Sequence, residues 1–199
     1  MKTEKKHVTG SGLGMTDTLA MTETLGRESG LTKKENLQLR LLAEELCGLL
    51  RGIAGDVEAA YWLDIDKKKF EIHMESEIEL TDEMRKQILS ASSSGENDAE
   101  KGFMGKLRVM IAETLLTKAA RSSMKSGLSL GFMGMSSPSA QGAGASAYQW
   151  SMKKYKEEAA ARNNEGWDGL ERSIVANIAD DVSVRIVGDN VHIIVYKQF

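Results

Sequence analysis

The longest regular pattern of apolar and polar positions is a run of leucines with helical spacing. Thr32 and Glu35 stand three residues apart, so each side chain can accept a hydrogen bond from the other's backbone amide and begin a helix. The apolar residues after them recur at intervals of three and four: Leu39, Leu42, Leu46, Leu49, Leu50 and Ile53. Gly55 is the expected end of this helix, whose leucine side we predict to enter the core.

Alternation with a period of two predicts two β-hairpins. The first pairs residues 59–65 with 69–75, and the second pairs residues 182–186 with 191–195. Short polar turns at 66–68 and at 188–190 separate the strands of each hairpin. The chain is therefore expected to contain both helices and strands.

The strand at 69–75 separates its side chains by polarity. The apolar set is Phe70, Ile72 and Met74, and the polar set is Glu71, His73 and Glu75. Because successive side chains of a strand point to opposite faces, we expect the polar set to face solvent. His73, and His192 in the last strand, are then solvated or cross-strand histidines rather than metal ligands.

The remaining segments have weaker patterns. Residues 1–14 predict a disordered lead, and residues 121–147, rich in Ser, Gly, Ala and Met, predict a mobile insertion. Further helices are predicted over 16–25, 81–89, 102–120, 148–162 and 170–178, the last with a capping box of Asp168 and Glu171. We divide the chain into an N-terminal lead, 1–31, and a single domain, 32–199.

Composition narrows the class of protein. The 199 residues are 41% hydrophobic, which is enough for one core. The net charge is −3, and because nucleic-acid-binding proteins usually carry an excess of basic residues, we predict that nucleic acid is not a partner. The single cysteine, Cys47, fits a reducing compartment and is expected to be buried. We find neither a signal peptide nor an apolar run of about 18 residues, and we predict a cytoplasmic protein with no membrane partner.

A glycine-rich turn precedes the helix predicted over 102–120. Gly95 lies in a Ser/Gly/Asn run, and Gly102 and Gly105 open directly into the helix, followed by Lys106. The start of a helix exposes unpaired N–H groups and the positive end of the helix dipole, which favours a phosphate or another anion. No Cys/His cluster has the spacing of a zinc site, so no metal site is predicted from that pattern.

The order of the elements resembles the histidine-kinase-like ATPase fold, also called the GHKL or Bergerat fold. The nearest members are the small anti-sigma-factor serine kinases, and the resemblance covers roughly residues 32–120 and 180–199. It implies a two-layer α/β sandwich with a mixed, mostly antiparallel sheet covered by helices on one face. It also implies ATP as the ligand and is compatible with a homodimer.

The resemblance assigns roles to individual residues. Glu44 matches the general base of the family's first helix, and Gly48 stands where the family has an asparagine that ligates magnesium. Ser76 stands where an aspartate reads adenine, with Ile78 at the following glycine position. The glycines Gly95, Gly102 and Gly105, with Lys106, correspond to the lid and the phosphate-binding turn. Because glycine offers no oxygen ligand, the family's usual magnesium site is not expected here.

Three functions follow from these assignments. The first is a regulatory protein with weakened or lost nucleotide binding that acts through a protein partner, such as a sigma factor or an anti-anti-sigma-like regulator. The alternative is an active ATP-dependent serine/threonine kinase or ATPase, with Glu44 as base. The third is a module that binds some other anion at the start of the Gly102 helix.

Overall fold

The computed structural model describes residues 1–51, 57–78, 147–161 and 173–199, together with the helical residues 107, 110–112, 114 and 115. In these residues the chain forms one six-stranded sheet with helices packed against it. The architecture is a mixed α/β fold, as the sequence predicts.

Two helices near the N-terminus follow one another closely. Helix α1 spans Met15–Glu28 and helix α2 spans Lys33–Arg51. The predicted capping box begins α2: the Thr32 amide donates to Glu35 Oε2 at 2.6 Å, and the Glu35 amide donates to Thr32 Oγ1 at 3.3 Å. Reciprocal bonds of this kind satisfy amides that have no partner within the helix.

The sheet has the strand order β1-β2-β3-β6-β5-β4. Its strands are Lys6–Thr9, Glu58–Asp66, Lys69–Glu77, Tyr148–Ser151, Asp181–Val187 and Asn190–Gln198, numbered β1 to β6. Each neighbouring pair of these strands is antiparallel, whereas the resemblance implied a mixed sheet. The last strand, β6, inserts beside β3 and so joins the N-terminal and C-terminal parts of the chain in one sheet.

Both predicted hairpins are confirmed, with tighter turns than the sequence indicated. Lys67 and Lys68 connect β2 to β3, and Lys67 adopts a left-handed φ of 55°. Gly188 and Asp189 connect β5 to β6, and Gly188 has a φ of 68°. Turns of two residues need such left-handed positions to match the twist of the paired strands.

The hydrophobic core lies between the helices and one face of the sheet, which we call the inner face. Phe70, Ile72 and Met74 point into this core, as predicted. Leu39, Leu42 and Leu46 of α2 belong to the same core cluster, as does Cys47, which is buried as predicted. Tyr61 anchors α1 to the inner face, because its hydroxyl lies 2.8 Å from Thr22 Oγ1.

The N-terminal residues are not a disordered lead. Strand β1 pairs with β2 at the edge of the sheet, and Val8 is fully buried in the core. The turn into α1 depends on Gly14, which has a φ of 74°; a Cβ there would lie 2.1 Å from the His7 carbonyl oxygen. The prediction failed because a strand of four residues is too short to show a clear alternation.

The segment predicted as one helix over 148–162 divides into two elements. Tyr148–Ser151 forms the edge strand β4, and helix α3 occupies Met152–Ala161. Asp181 joins them, since its carboxylate accepts from the Ser151 hydroxyl and from the Lys153 amide. Four residues of strand next to a charged helix do not change the helical periodicity enough to be seen in the sequence.

Of the helix predicted over 170–178, the described part is helix α4, Ile174–Ile178, whose N-cap is Ser173. Several predicted features lie outside the described residues: the capping box of Asp168 and Glu171, the helix predicted over 81–89, the helix end at Gly55, and most of the insertion, 121–146. The described positions between 107 and 115 are helical, in agreement with the helix predicted over 102–120.

Candidate functional site

Glu44, the predicted general base, and Gly48, one turn later, lie on the side of α2 that faces away from the core. Glu44 and Gly48 are both exposed, while Ala43, Leu46 and Cys47 are buried. Residues four apart lie on one side of a helix, so these two positions form one continuous strip. We call Glu44 and Gly48 the α2 strip.

The α2 strip has open space above its glycine. A Cβ placed at Gly48 would meet no atom within 4 Å among the described residues beyond its own helical neighbours. A larger side chain could therefore stand there without displacing anything described. Gly48 has no side chain to coordinate a cation, and Glu44 is the only carboxylate of the strip.

Ser76, the second predicted nucleotide-binding residue, lies near the end of β3 on the inner face of the sheet. It pairs with Ala59 on one side and with Val191 on the other, and it is 6% exposed. Its hydroxyl donates to the Glu58 carbonyl oxygen at 2.6 Å. This bond uses the only proton of the hydroxyl, so the remaining chemistry of Ser76 is that of a weak acceptor.

The predicted phosphate turn lies in a part of the chain that the structure does not describe. Gly95, Gly102, Gly105 and Lys106 lie outside the described residues. Among the described helical residues that follow them, Leu107, Ile111 and Leu115 are buried in the same core cluster as the leucines of α2. These residues therefore contribute to the same core as α2.

A second cluster, which the sequence does not predict as a unit, lies on the opposite or outer face of the sheet. Trp62 of β2 stacks on His73 of β3 with ring centroids 4.8 Å apart and an angle of 5° between the rings. It also stacks on His192 of β6 at 5.3 Å and 26°. We call Trp62, His73 and His192 the outer-face cluster.

The two imidazoles of this cluster are joined by a hydrogen bond. His73 Nδ1 and His192 Nε2 lie 3.1 Å apart, and the rings are inclined by 23°. On its other side, His73 Nε2 lies 3.2 Å from Asp64 Oδ2 and 3.7 Å from Glu71 Oε2, within ion-pair distance but without hydrogen-bond geometry. His73 is 6% exposed, so of the two expected environments, solvated or cross-strand, the structure confirms the cross-strand one.

Two lysines from the N-terminal segment lie over the outer-face cluster. The Lys5 ammonium lies 4.4 Å from the centroid of the Trp62 ring and 2.7 Å from Glu75 Oε2. Lys2 lies 5.4 Å from the same ring and 3.8 Å from Asp64 Oδ2. A cation above an indole face is attracted by the ring quadrupole, so both lysines help to cover Trp62, which is 4% exposed.

Burial is the main influence on both imidazoles. It holds the pKa of His73 below its ordinary value, and the neighbouring His192 lowers it further, against the opposing effect of Asp64 and Glu71. Burial also lowers the pKa of His192; Glu75 opposes that effect, while Lys5 and Arg185 add to it. Both lowered pKa values favour the neutral form of the imidazole.

A sequence signal for this cluster exists but is indirect. Trp62 and His73 occupy outward positions of their strands, which the alternation pattern shows. The approach of His192 depends on the pairing of β3 with β6, whose residues are more than one hundred positions apart in sequence. That pairing has no local signal.

Among the described residues, no group of three or more His, Cys, Asp or Glu side chains is arranged to hold a metal ion. Nor does this part of the chain contain a helix with the length and apolarity needed to cross a membrane. Compared with protein-family models, with characterised proteins and with solved structures, the chain gives no match.

Proposed function

We propose that this protein is a regulatory protein of the anti-sigma-factor serine kinase type, with a nucleotide site that is weakened or lost. It acts by binding a protein partner, such as a sigma factor or an anti-anti-sigma-like regulator, and it can form a homodimer. The observation that carries the proposal is the α2 strip, in which Glu44 is exposed one turn before a glycine.

The glycine matters because of the chemistry of phosphoryl transfer. A magnesium ion bridges the phosphates and stabilises the charge that develops on them, and it needs oxygen ligands in near-octahedral geometry. Gly48 supplies none at the position where the resemblance places a ligand. Glu44 retains the carboxylate of a general base, but a base alone does not replace the cation.

Ser76, to which the resemblance assigns the recognition of adenine, supports the same conclusion independently of the α2 strip. An aspartate at this position would accept a hydrogen bond from the adenine amino group with a full negative charge. The Ser76 hydroxyl is neutral and is already engaged with the Glu58 carbonyl oxygen. Recognition of adenine is therefore expected to be weak.

The two rival functions make different demands. An active kinase or ATPase needs magnesium-dependent ATP binding and a functional Glu44. A module for another anion keeps the turn around Gly102, Gly105 and Lys106 and shows no preference for adenine. The following experiment distinguishes both rival functions from the proposed one.

The test is to restore the missing ligand with Gly48→Asn and to measure the melting temperature with and without Mg-ATP. A Cβ at Gly48 meets no atom of the described residues within 4 Å, so these residues leave room for the new side chain. A ligand at 100 times its dissociation constant adds about 2.7 kcal/mol, which is about 5–11 °C for a chain of this size. We expect a magnesium-dependent shift in Gly48→Asn that clearly exceeds the shift in the natural protein.

Gly48→Ala is the matched control, because it removes the glycine without adding an oxygen ligand. A shift in the natural protein as large as that of Gly48→Asn would contradict the weakened site. No shift in either variant, together with a shift caused by inorganic phosphate or pyrophosphate, would favour the anion-binding module instead.

A further inference from the structure

Residues 1–5 continue from β1 along the edge of β2, where the Met1 ammonium donates to the Ile65 carbonyl oxygen and the Ile65 amide donates to the Met1 carbonyl oxygen at 2.7 Å. The Thr3 amide donates to the Leu63 carbonyl oxygen at 2.9 Å, and the Leu63 amide donates to Thr3 Oγ1 at 2.9 Å. Lys2 forms a bridge opposite Asp64. Beyond these bonds, the side chain of Lys5 links the segment to the outer face through Glu75 and Trp62.

We propose that the outer-face cluster is a proton-operated latch: protonation of the histidine pair releases Lys5 from Glu75 and frees residues 1–5 from the edge of β2, which uncovers Trp62. The inference is independent of the proposed nucleotide site, because it uses the opposite face of the sheet.

The proton positions follow from the surrounding charges. Asp64 and Glu71 lie beside His73 Nε2, so the proton of neutral His73 belongs on that nitrogen. His73 Nδ1 is then an acceptor, and His192 Nε2–H donates to it across the 3.1 Å contact. This arrangement leaves His192 Nδ1 as the nitrogen that takes up the next proton.

Charged groups from every neighbouring element face the pair. They are Asp64 from β2, Glu71 and Glu75 from β3, Arg185 from β5, and Lys2 and Lys5 from the N-terminal segment. Glu75 stands directly opposite His192 in the pairing of β3 with β6. A cationic His192 competes with Lys5 for this carboxylate and repels the Lys5 ammonium.

The direction of the pH effect follows from the lowered pKa values. A histidine whose pKa is lowered in the closed form binds protons more weakly there than in an open form. The closed form is therefore favoured above the ordinary histidine pKa of about 6.5 and loses that advantage as the pH falls below it. Acidification drives the latch open.

The experiment follows the exposure of Trp62 in the full chain. Trp150→Phe and Trp167→Phe leave Trp62 as the only tryptophan, and quenching of its fluorescence by acrylamide is measured from about pH 7.5 to about pH 5, across the titration range of histidine. Circular dichroism over the same range reports the sheet. We expect quenching to rise several-fold while the sheet signal stays constant.

Three further variants in the same background assign the effect. His73→Gln with His192→Gln should abolish the rise in quenching. Glu75→Gln should expose Trp62 already at neutral pH, because Lys5 loses its partner. His7→Gln is the matched control: His7 is exposed and pairs with Glu58 at 3.1 Å, so its loss should leave the rise unchanged.

Two results would overturn the latch. One is quenching that rises only together with loss of the sheet signal, since that is global acid unfolding. The other is a rise that persists without the histidine pair. If the double variant does not fold, Glu75→Gln decides: unchanged quenching at neutral pH in that variant contradicts the role given to Lys5.

Discussion

Gly26 of α1 stands where the two N-terminal helices touch. A Cβ built there would lie 2.0 Å from Asn36 Oδ1 and 3.1 Å from Leu39 Cδ2. Asn36 is buried, and its Nδ2 donates to the Glu23 carbonyl oxygen at 3.0 Å, so its side chain is already engaged. The contact between α1 and α2 therefore requires a residue without a side chain at this position.

Gly26→Ala is expected to destabilise the protein by about 1–3 kcal/mol, because an overpacked core forces side chains and backbone to shift. Gly48→Ala is the matched helical control, since its Cβ meets no atom within 4 Å in the part of the chain that the structure describes. It should stabilise the protein by about 0.5–1 kcal/mol, through the lower conformational entropy of alanine in the unfolded chain. Urea unfolding of both variants measures the difference; equal effects would contradict the packing described for Gly26.

At this scale the sequence was informative where a residue's role depends on its near neighbours. Thr32, Glu35 and Cys47 are where local patterns placed them. The burial of His73 was missed because it depends on Trp62 and on the lysines above the ring, which come from other parts of the chain. A histidine in an alternating strand has the same local pattern whether or not an indole covers it.

Among the helices and strands, the long elements were predicted correctly and the short ones were missed. Helix α2 and both hairpins were predicted because their periodicity runs over many residues. The short edge strands β1 and β4 were missed because each has four residues and is defined by its partner strand. Edge strands of this length form only because a neighbouring strand presents unpaired backbone groups to them.

The start of α2 offers a test at the level of a single element. Its capping box also contacts the β2–β3 turn, since Lys68 Nζ lies 3.2 Å from Glu35 Oε2. The hydrogen bonds from the Thr32 backbone and side chain lower the pKa of Glu35, with a smaller effect from Lys68. The contribution of this carboxylate to stability is thus present above its unfolded pKa and is lost as the pH falls through the lowered value.

Thr32→Ala removes the acceptor for the Glu35 amide and is expected to cost about 1 kcal/mol of unfolding free energy. Thr24→Ala is the control, because Thr24 is exposed within α1 and alanine is the better helix former. Thermal unfolding at neutral pH compares the two. A Thr32→Ala variant as stable as the natural protein would show that the cap contributes nothing to the fold.

For the whole molecule, the sheet order decides which side chains share a face of the sheet. Because β6 lies beside β3, the chain has an inner face toward α2 and Ser76 and an outer face with the histidine pair. Through its resemblance to a family the sequence predicted Ser76, on the inner face, and the α2 strip, which faces away from the core, but it gave no sign that the outer face forms a cluster. Long-range pairing, not local pattern, decides which polar side chains of a sheet meet.

The two proposals therefore belong to separate faces and can fail separately. Loss of the latch would leave the account of the α2 strip unchanged, and a functional nucleotide site would leave the outer-face cluster unchanged. Variants of Gly48 and variants of the histidine pair should accordingly have additive effects on stability, since they share no contact.

Transfer of phosphate from radiolabelled Mg-ATP to water, to the protein itself and to a serine-rich peptide tests the central claim most directly. For the natural protein and for Glu44→Gln, we predict the same background level, because the α2 strip lacks the cation ligand that phosphoryl transfer requires. Turnover in the natural protein that Glu44→Gln abolishes would contradict the account and establish the protein as an active enzyme.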